Sequence, residues 1–473
     1  MNQADSEKIN MILLQSGFFR VNNWKNADLV IFNTCSVRQK GEDKVFGMLE
    51  EIDKFNKIKN KNVLVGITGC MVRKTGISGK YLENYKRDKN NAKKIVLAKN
   101  NTSIFNNDDK LFPRSDGKLD FTLRIEDIKY LPLILTHIIG ENIGNDNSFD
   151  DYLKQKQLRE NKSSAIIIIQ SGCDNYCTFC IVPHTRGHEN SRKIEDIVLE
   201  AKLAVKNGAK EITLVGQNVN SYGKQWIDKK FWNKEKGKWN SGLKKSPFRQ
   251  LLEELNKIEG LDRIRFTSSN PHDMTQDILD AHFELDKLCN YLHFALQSGS
   301  DEMLKRMNRK HKYSDFKKMV DYLRSKDPLF AISTDIIVGF SGETEEMFNE
   351  TKKAFKECLF DFTYNARYSV RKGTIAEKIY PDDITNKVKA QRWHILNDML
   401  LDSIGVRNKM MLDREEEVLI SVEKYGNYIG RTRNFKEVRF PKIEGIEIGD
   451  LVIVKILELD RYILKGKFIK KIK

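Results

Sequence analysis

The chain has 473 residues, with 82 Lys and Arg against 66 Asp and Glu, a formal net charge of +16 and a pI near 9.2. Domains usually run about 100 to 200 residues, so this length excludes a single small binding module and predicts two or three cores. With 40% hydrophobic and 31% charged residues the composition is globular and basic, not disordered.

The excess of cations favours a polyanionic partner such as nucleic acid, because each Lys or Arg replaces a condensed counterion on a phosphate chain. A composition rich in Lys, Asn and Ile is the plainer source of the same charge. No run approaches the roughly 18 consecutive apolar residues of a membrane span, and residues 1–7 do not read as a signal peptide. A cytoplasmic protein with no membrane partner is expected.

In chain order, residues 4–16 predict an amphipathic helix with Ile9, Ile12 and Leu13 on one side, stopped at Gly17. Two β-rich runs follow, 27–35 and 62–70, separated by a helical stretch at 41–57, and each run ends in a cysteine. Continuous apolar strands alternating with helices predict a parallel, doubly wound α/β domain over 1–145. Ligands gather outside the carboxyl ends of such strands, so Cys35 and Cys70 should lie close together. Residues 141–163, rich in Gly, Asn, Asp, Lys and Gln, read as a linker.

A second α/β section spans 159–395. Six strands are expected, at 165–170, 211–215, 263–267, 291–296, 332–338 and 362–368, with helical patterns between them. Six βα units predict an open barrel whose chemistry sits on loops at the C-terminal strand ends. Residues 394–412 read as a helix leading out. From Glu415 the pattern turns to period-2 alternation, predicting a small β-barrel over 411–473. Residues 431–473 hold twelve Lys/Arg against six Asp/Glu, a net of +6, so more than a third of the +16 excess sits in the tail.

The seven cysteines are odd in number and sit in a large chain without a signal peptide, which favours metal or redox chemistry over a disulfide framework. Cys173, Cys177 and Cys180 are spaced C-x3-C-x2-C directly after the first barrel strand. Three thiolates on one loop can grip three irons of a 4Fe-4S cluster and leave the fourth open to S-adenosylmethionine (SAM), whose cleavage by one electron gives a 5′-deoxyadenosyl radical. The alternative is a zinc knuckle completed by His184, belonging to a non-catalytic RNA-binding protein. Cys289 and Cys358 belong to no motif and read as core.

On these residues the chain resembles the radical SAM superfamily, and within it the methylthiotransferase family. The matching stretches are Asn33-Thr-Cys35-Ser-Val-Arg38, Thr68-Gly-Cys70-Met71, the run from Gly172 to Cys180, Pro183-His-Thr-Arg-Gly187, Leu296-Gln-Ser-Gly-Ser300, Asp335-Ile-Ile-Val-Gly-Phe340 and Arg367-Tyr-Ser369. The run from Gly216 to Gly223 and the strand Arg263-Ile-Arg-Phe-Thr-Ser268 resemble the branch that acts on N6-isopentenyladenosine in tRNA. The resemblance implies a second, auxiliary 4Fe-4S cluster as the sulfur source, a radical SAM core and a C-terminal TRAM domain that binds RNA. It further implies SAM as cofactor, the tRNA anticodon loop as partner and 2-methylthio-N6-isopentenyladenosine at position 37 as product. Methylthiolation of threonylcarbamoyl-adenosine or of a ribosomal protein is the alternative within the family. An electron donor such as a flavodoxin or ferredoxin is required, the sulfur donor is unknown, and a monomer is expected.

Family members open with Tyr-Gly-Cys-Gln-Met-Asn, whose last two positions fall on Met1 and Asn2. Only Cys35 and Cys70 are therefore present as auxiliary ligands, and a start codon assigned too late is the expectation. Ser341 stands where Pro is common and His184 where Tyr is common.

The remaining site residues are weaker. Gly216 and Gln217 at the end of the second barrel strand, and Gln297 and Ser298 at the end of the fourth, are candidates for SAM binding. An ordinary turn is the alternative for Gly216. Arg186 and Arg367 are candidates for carboxylate or phosphate contact, or else structural ion pairs. In the tail, Arg431, Arg433, Lys436 and Arg439 are the best RNA contacts, a solvated barrel edge being the alternative. Residues 224–245 hold eight Lys, two acidic residues, and Trp226, Trp232 and Trp239, a mixture suited to stacking on unpaired bases or to pinning a loop on the barrel.

Overall fold

The computed structural model describes residues 1–35, 39–72, 119–141, 143, 152–155, 157–159, 161–227, 232–233, 238–239 and 245–473. These fall into two compact units: residues 1–160 with 171–174 and 181–188, and the remainder.

The first unit opens with helix α1 (Asn2–Gln15), followed by strand β1 (Leu29–Thr34), helix α2 (Gln39–Lys59) and strand β2 (Leu64–Gly69). A two-residue strand, β3 (Phe121–Thr122), and helix α3 (Leu131–Ile139) complete it. The three strands are parallel in the order β1-β2-β3. Leu49 and Ile52 of α2 pack on Val65 and Ile67 of β2, all at most 2% exposed. α1 buries Ile9 and Ile12 as expected, but also Asp5 and Lys8. Each has a partner: Asp5 pairs with Arg186 at 2.6 Å, and Lys8 Nζ donates to the Tyr152 carbonyl at 2.7 Å.

In the second unit six parallel strands alternate with helices, in the order β4 (Ser164–Ile168), α4 (Ile194–Lys206), β5 (Glu211–Val215), α5 (Pro247–Asn256), β6 (Arg263–Phe266) and α6 (Gln276–Glu284). The series continues with β7 (Tyr291–His293), α7 (Asp301–Arg306), α8 (Tyr313–Lys326), β8 (Ala331–Val338), α9 (Glu345–Cys358) and β9 (Phe362–Arg367). Strands pair as β6-β5-β4 and β7-β8-β9, and isolated parallel bridges Ile264–Leu288 and Ser269–Phe294 join the two sets.

The helices obey local rules. Ile197, Ala201 and Ala204 form the buried stripe of α4, and Ser246 caps α5 by accepting from the Arg249 backbone N–H. One core runs through the unit, with Ile167, Ile212, Leu214, Ile264, Phe266, Leu292, Phe294 and Ile336 all at most 1% exposed. Cys289 and Cys358 are buried at 1% and 0%.

A 24-residue helix, α10 (Asn386–Lys409), capped by Thr385, leads to five strands that close a barrel in the order β10-β11-β12-β14-β13. These are β10 (Glu415–Lys424), β11 (Asn427–Thr432), β12 (Glu437–Pro441), β13 (Leu451–Asp460) and β14 (Ile463–Lys471). Val418, Ile420, Val438, Val452, Val454 and Leu464 fill it with no measurable exposure. Among the described residues no helix is long and apolar enough to cross a membrane.

Candidate functional site

The register of β1 against β2 sets Thr34 opposite Gly69, so Cys35 and Cys70 leave adjacent parallel strands side by side. Thr34 pins this crossing. Its carbonyl accepts from Cys70 N at 2.9 Å, and its hydroxyl donates to the Thr68 carbonyl at 2.6 Å while accepting from Met71 N at 3.1 Å. Gly69 has φ +89°, and a Cβ there would stand 2.4 Å from the Thr34 carbonyl oxygen, so only glycine permits the approach. Cys70 is buried and Cys35 exposed.

The loop after β4 carries the other three cysteines. Gly172, with φ +80°, turns the chain where a Cβ would lie 2.0 Å from the His188 carbonyl oxygen, and Cys173 N donates to the Gly187 carbonyl at 3.3 Å. Cys177 and Cys180 share one tight turn closed by Cys180 N donating to the Cys177 carbonyl at 2.9 Å.

Further along the C-terminal strand ends, four non-glycine residues hold left-handed backbone: Tyr176 (φ +48°), Ser268 (+68°), Gln297 (+73°) and Asn308 (+56°). Such conformations cost about 1–3 kcal/mol each and collect at functional sites. Polar side chains are braced against one another here. Gln170 Nε2 donates to the Asn218 carbonyl at 2.6 Å, Asn218 Nδ2 donates to Asp273 at 2.6 Å, and Lys224 pairs with the other Asp273 oxygen. Burial alone would raise the Asp273 carboxyl, but Lys224 outweighs it and holds the group below its usual range.

The rim offers a fit to SAM. Buried acceptors on this rim have no partner among the described residues: Gln170 Oε1, Gln217 Oε1, Asn218 Oδ1 and Ser269 Oγ. Orphaned buried acceptors are costly, and a ligand bearing an ammonium and ribose hydroxyls supplies the missing donors. The donor sets also fit iron: three thiols on one loop and two more at one strand edge. Among the described residues no three His, Cys, Asp or Glu side chains converge as a single metal ion requires.

The expected site residues divide accordingly. Gln217 carries one of the orphaned acceptors, and Gln297 is held by main-chain bonds to Asp335 and Ile337 at 2.8 and 3.0 Å. In front of Gly216 the space a Cβ would take is occupied by the Gln170 side chain at 2.8 Å, so packing already accounts for the glycine. Ser298 is turned inward at 1% exposure; its hydroxyl meets Thr351 at 3.2 Å and accepts from Ser300 N at 3.2 Å.

Arg186 takes the ion-pair alternative. It is 2% exposed and bonds Asp5 at 2.6 Å and Tyr152 at 3.3 Å, the structural ion pair. Arg367 is exposed at the end of β9.

In the tail, two of the four cations expected to meet RNA, Arg433 and Lys436, hold the small barrel to the larger one. Lys436 is 7% exposed and bonds Asp361 at 2.6 Å, a carboxylate also gripped by Arg407 and Arg324, so its charge is compensated inside the protein. Burial would raise the Asp361 carboxyl, but those three cations hold it low. Arg431 lies 4.2 Å from the Phe435 ring centroid, and Arg433 donates to the carbonyls of Asp286 and Leu288 at 2.6 and 3.2 Å. Arg263 and Arg265 of β6 donate in turn to the carbonyls of Arg431, Thr432 and Arg433 at 2.7–2.8 Å. Of the four cations, Arg439 keeps a solvent-facing guanidinium, beside Glu437 at 2.9 Å. Of the Lys- and Trp-rich insertion, Trp232 and Trp239 pair across two short antiparallel strands, while 228–231, 234–237 and 240–244 lie outside the described residues.

One group went unnoticed in the sequence. Asn308 and Arg309, after α7, reach back to the cysteine loop: Asn308 Nδ2 donates to the Tyr176 carbonyl at 2.8 Å, and Arg309 Nη1 points at Cys177 Sγ at 3.4 Å. The available signal was a run, Arg306-Met-Asn-Arg-Lys-His311, too polar for an element and placed after the fourth strand.

Two family models match the chain: the radical SAM superfamily over residues 167–355 and the uncharacterized protein family UPF0004 over residues 1–96. Among curated proteins, the tRNA-2-methylthio-N(6)-dimethylallyladenosine synthase of Clostridium botulinum strain Hall is 38% identical over 470 residues, which is 99% of this chain and 94% of that one. Its counterpart in Clostridium tetani is 36% identical over 470 residues with the same shares covered. Among solved structures, the radical S-adenosylmethionine methyltransferase TsrM from Kitasatospora setae, with cobalamin and a 4Fe-4S cluster bound, shares the fold. It has a TM-score of 0.50 at 12% identity, over 79% of this chain and 73% of that one.

Proposed function

We propose a division of labour among these residues from the premise that the chain belongs to the family of tRNA-2-methylthio-N(6)-dimethylallyladenosine synthases, in the radical SAM superfamily. The protein is a transferase that methylthiolates C2 of N6-isopentenyladenosine at position 37 of tRNA, using an iron–sulfur cluster and SAM. The C2–H bond of an adenine is not acidic, so positioned acids and bases cannot open it. When bound, the cluster and SAM together supply a carbon radical able to take that hydrogen.

Within that chemistry, Cys173, Cys177 and Cys180 hold the radical SAM cluster. The observation that carries this is their spacing on one loop at the C-terminal end of β4, in a six-stranded parallel barrel. Gln217 and Gln297 orient SAM, the first through its orphaned acceptor. Cys35 and Cys70 serve a second, auxiliary cluster that provides the sulfur, supported by their placement on neighbouring strand ends. Arg367 and Arg439, both facing solvent, contact phosphates of the anticodon loop, and a flavodoxin- or ferredoxin-like protein delivers electrons.

Anaerobic reconstitution tests the cluster assignments, with about eight irons per chain expected for two four-iron clusters and about four for one. C177A should lose the radical SAM share. Nucleoside analysis of tRNA from a deletion strain carrying this gene tests the substrate. Appearance of the methylthio group on threonylcarbamoyl-adenosine instead would refute the assignment.

A further inference from the structure

The segment that follows α7 is built against the cysteine loop. Thr178, in the turn between Cys177 and Cys180, donates its backbone N–H to the Met307 carbonyl at 3.1 Å and its hydroxyl to the Arg306 carbonyl at 3.0 Å. Asn308 Nδ2 donates to the carbonyls of Tyr176 and Asn175 at 2.8 and 3.4 Å. Both Asn308 and Tyr176 are left-handed, so the two segments meet through a pair of strained turns that these bonds hold in place.

Arg309 completes the arrangement. Its Nη2 donates to the Ala295 carbonyl at 2.6 Å and to Asn270 Oδ1 at 3.0 Å, while Nη1 lies 3.4 Å from Cys177 Sγ. Asn270 is itself fixed by a reciprocal pair with Asn220, at 2.9 and 2.8 Å. Every oxygen that Arg309 bonds is therefore neutral, and among the described residues the guanidinium has no carboxylate partner. A half-buried cation held by neutral acceptors and aimed at a thiol is matched to that sulfur as an anion.

We propose that Arg309 is a positioning residue for the radical SAM cluster: it holds the Cys177 sulfur in its ligating orientation and raises the cluster's reduction potential. The inference rests on Cys177 being a cluster ligand. One-electron reduction adds a negative charge to a cluster already held by three thiolates. A fixed cation and hydrogen-bond donor on one ligand sulfur stabilises the reduced form more than the oxidised one. The electron comes from an external low-potential donor, and Arg309 changes only how readily it is accepted. Asn308, being neutral, shapes the loop without this electrostatic effect.

The test is an EPR-monitored redox titration of the full-length, reconstituted chain without SAM, in a C35A/C70A background. Wild type, R309M, R309K and N308A are compared, each with iron per chain and an unfolding midpoint. R309M is expected to shift the midpoint potential negative with iron retained. R309K should fall between R309M and wild type, because a single ammonium cannot reach both Ala295 and the sulfur. N308A should change cluster occupancy without moving the potential. A wild-type potential in R309M overturns the proposal. If R309M does not hold iron, R309K decides by the same criterion. Full iron retention in C177A overturns the ligand assignment and this inference with it, whereas an unshifted potential beside an iron-depleted C177A overturns the inference alone.

Discussion

Replacing Lys436 with Met separates a structural cation from an RNA-binding one. Lys436 Nζ sits 2.6 Å from Asp361, with the two side chains only 8% and 4% exposed. A buried hydrogen bond to a charged partner contributes about 1.5–3 kcal/mol, and stranding a buried charge altogether costs about 3–5 kcal/mol. Asp361 is not stranded in K436M, since Arg407 and Arg324 remain at 3.2 and 3.1 Å and the Ile332 N–H at 2.9 Å. The lower figure applies, and K436M should lose about 1.5–3 kcal/mol in urea unfolding. Its tRNA affinity at fixed temperature should keep the wild-type salt slope. R439A, which removes an exposed cation, should alter stability by less than about 0.5 kcal/mol but weaken tRNA binding and reduce the slope by about one. A K436M protein of unchanged stability whose salt slope falls as in R439A would refute the reasoning.

Three further outcomes are expected. The G172A variant should lose iron, because a backbone clash with the His188 carbonyl at 2.0 Å cannot be relieved by a side-chain rotation; full iron content would contradict this. Removing the orphaned acceptor in Q217A should raise KM for SAM about 3- to 10-fold with kcat little changed, as loss of one hydrogen bond implies; an unaltered KM removes Gln217 from the site. Glu211 is held below its usual pKa: burial would raise it, but Arg265 and Arg263 outweigh that. A depressed carboxyl contributes stability that is complete above the unfolded value of about 4.3 and lost as pH falls through the folded one. The unfolding midpoint should therefore drop below about pH 4 in wild type and less steeply in E211Q. Equal slopes would exclude Glu211 as the cause.

What could be read directly from the sequence was local. The strand at Glu211–Val215 coincides with its expectation, and the other five barrel strands lie within a few residues of theirs, because apolar runs and turn residues act over one element. The cysteine loop was legible for the same reason: its three thiols are set by spacing within eight residues. β3 was missed because two residues carry no period, and α3 because its sequence, LPLILTHII, is apolar all round and shows no stripe.

Charge was where the sequence left alternatives open. Arg186, Arg433 and Lys436 look in sequence like Arg439, yet three are engaged inside the protein and one faces water. What separates them is an acceptor or carboxylate contributed by another element, such as Asp5 at a separation of 181 residues. Arg309 was silent for the mirror reason, since its sulfur partner lies 132 residues away. Residue types and spacing determined the six-stranded barrel and the three-cysteine loop of this chain. Whether each cation meets solvent, a carboxylate or a cysteine sulfur was decided by tertiary structure alone, because burial depends on contacts between distant segments and leaves no periodic mark on either.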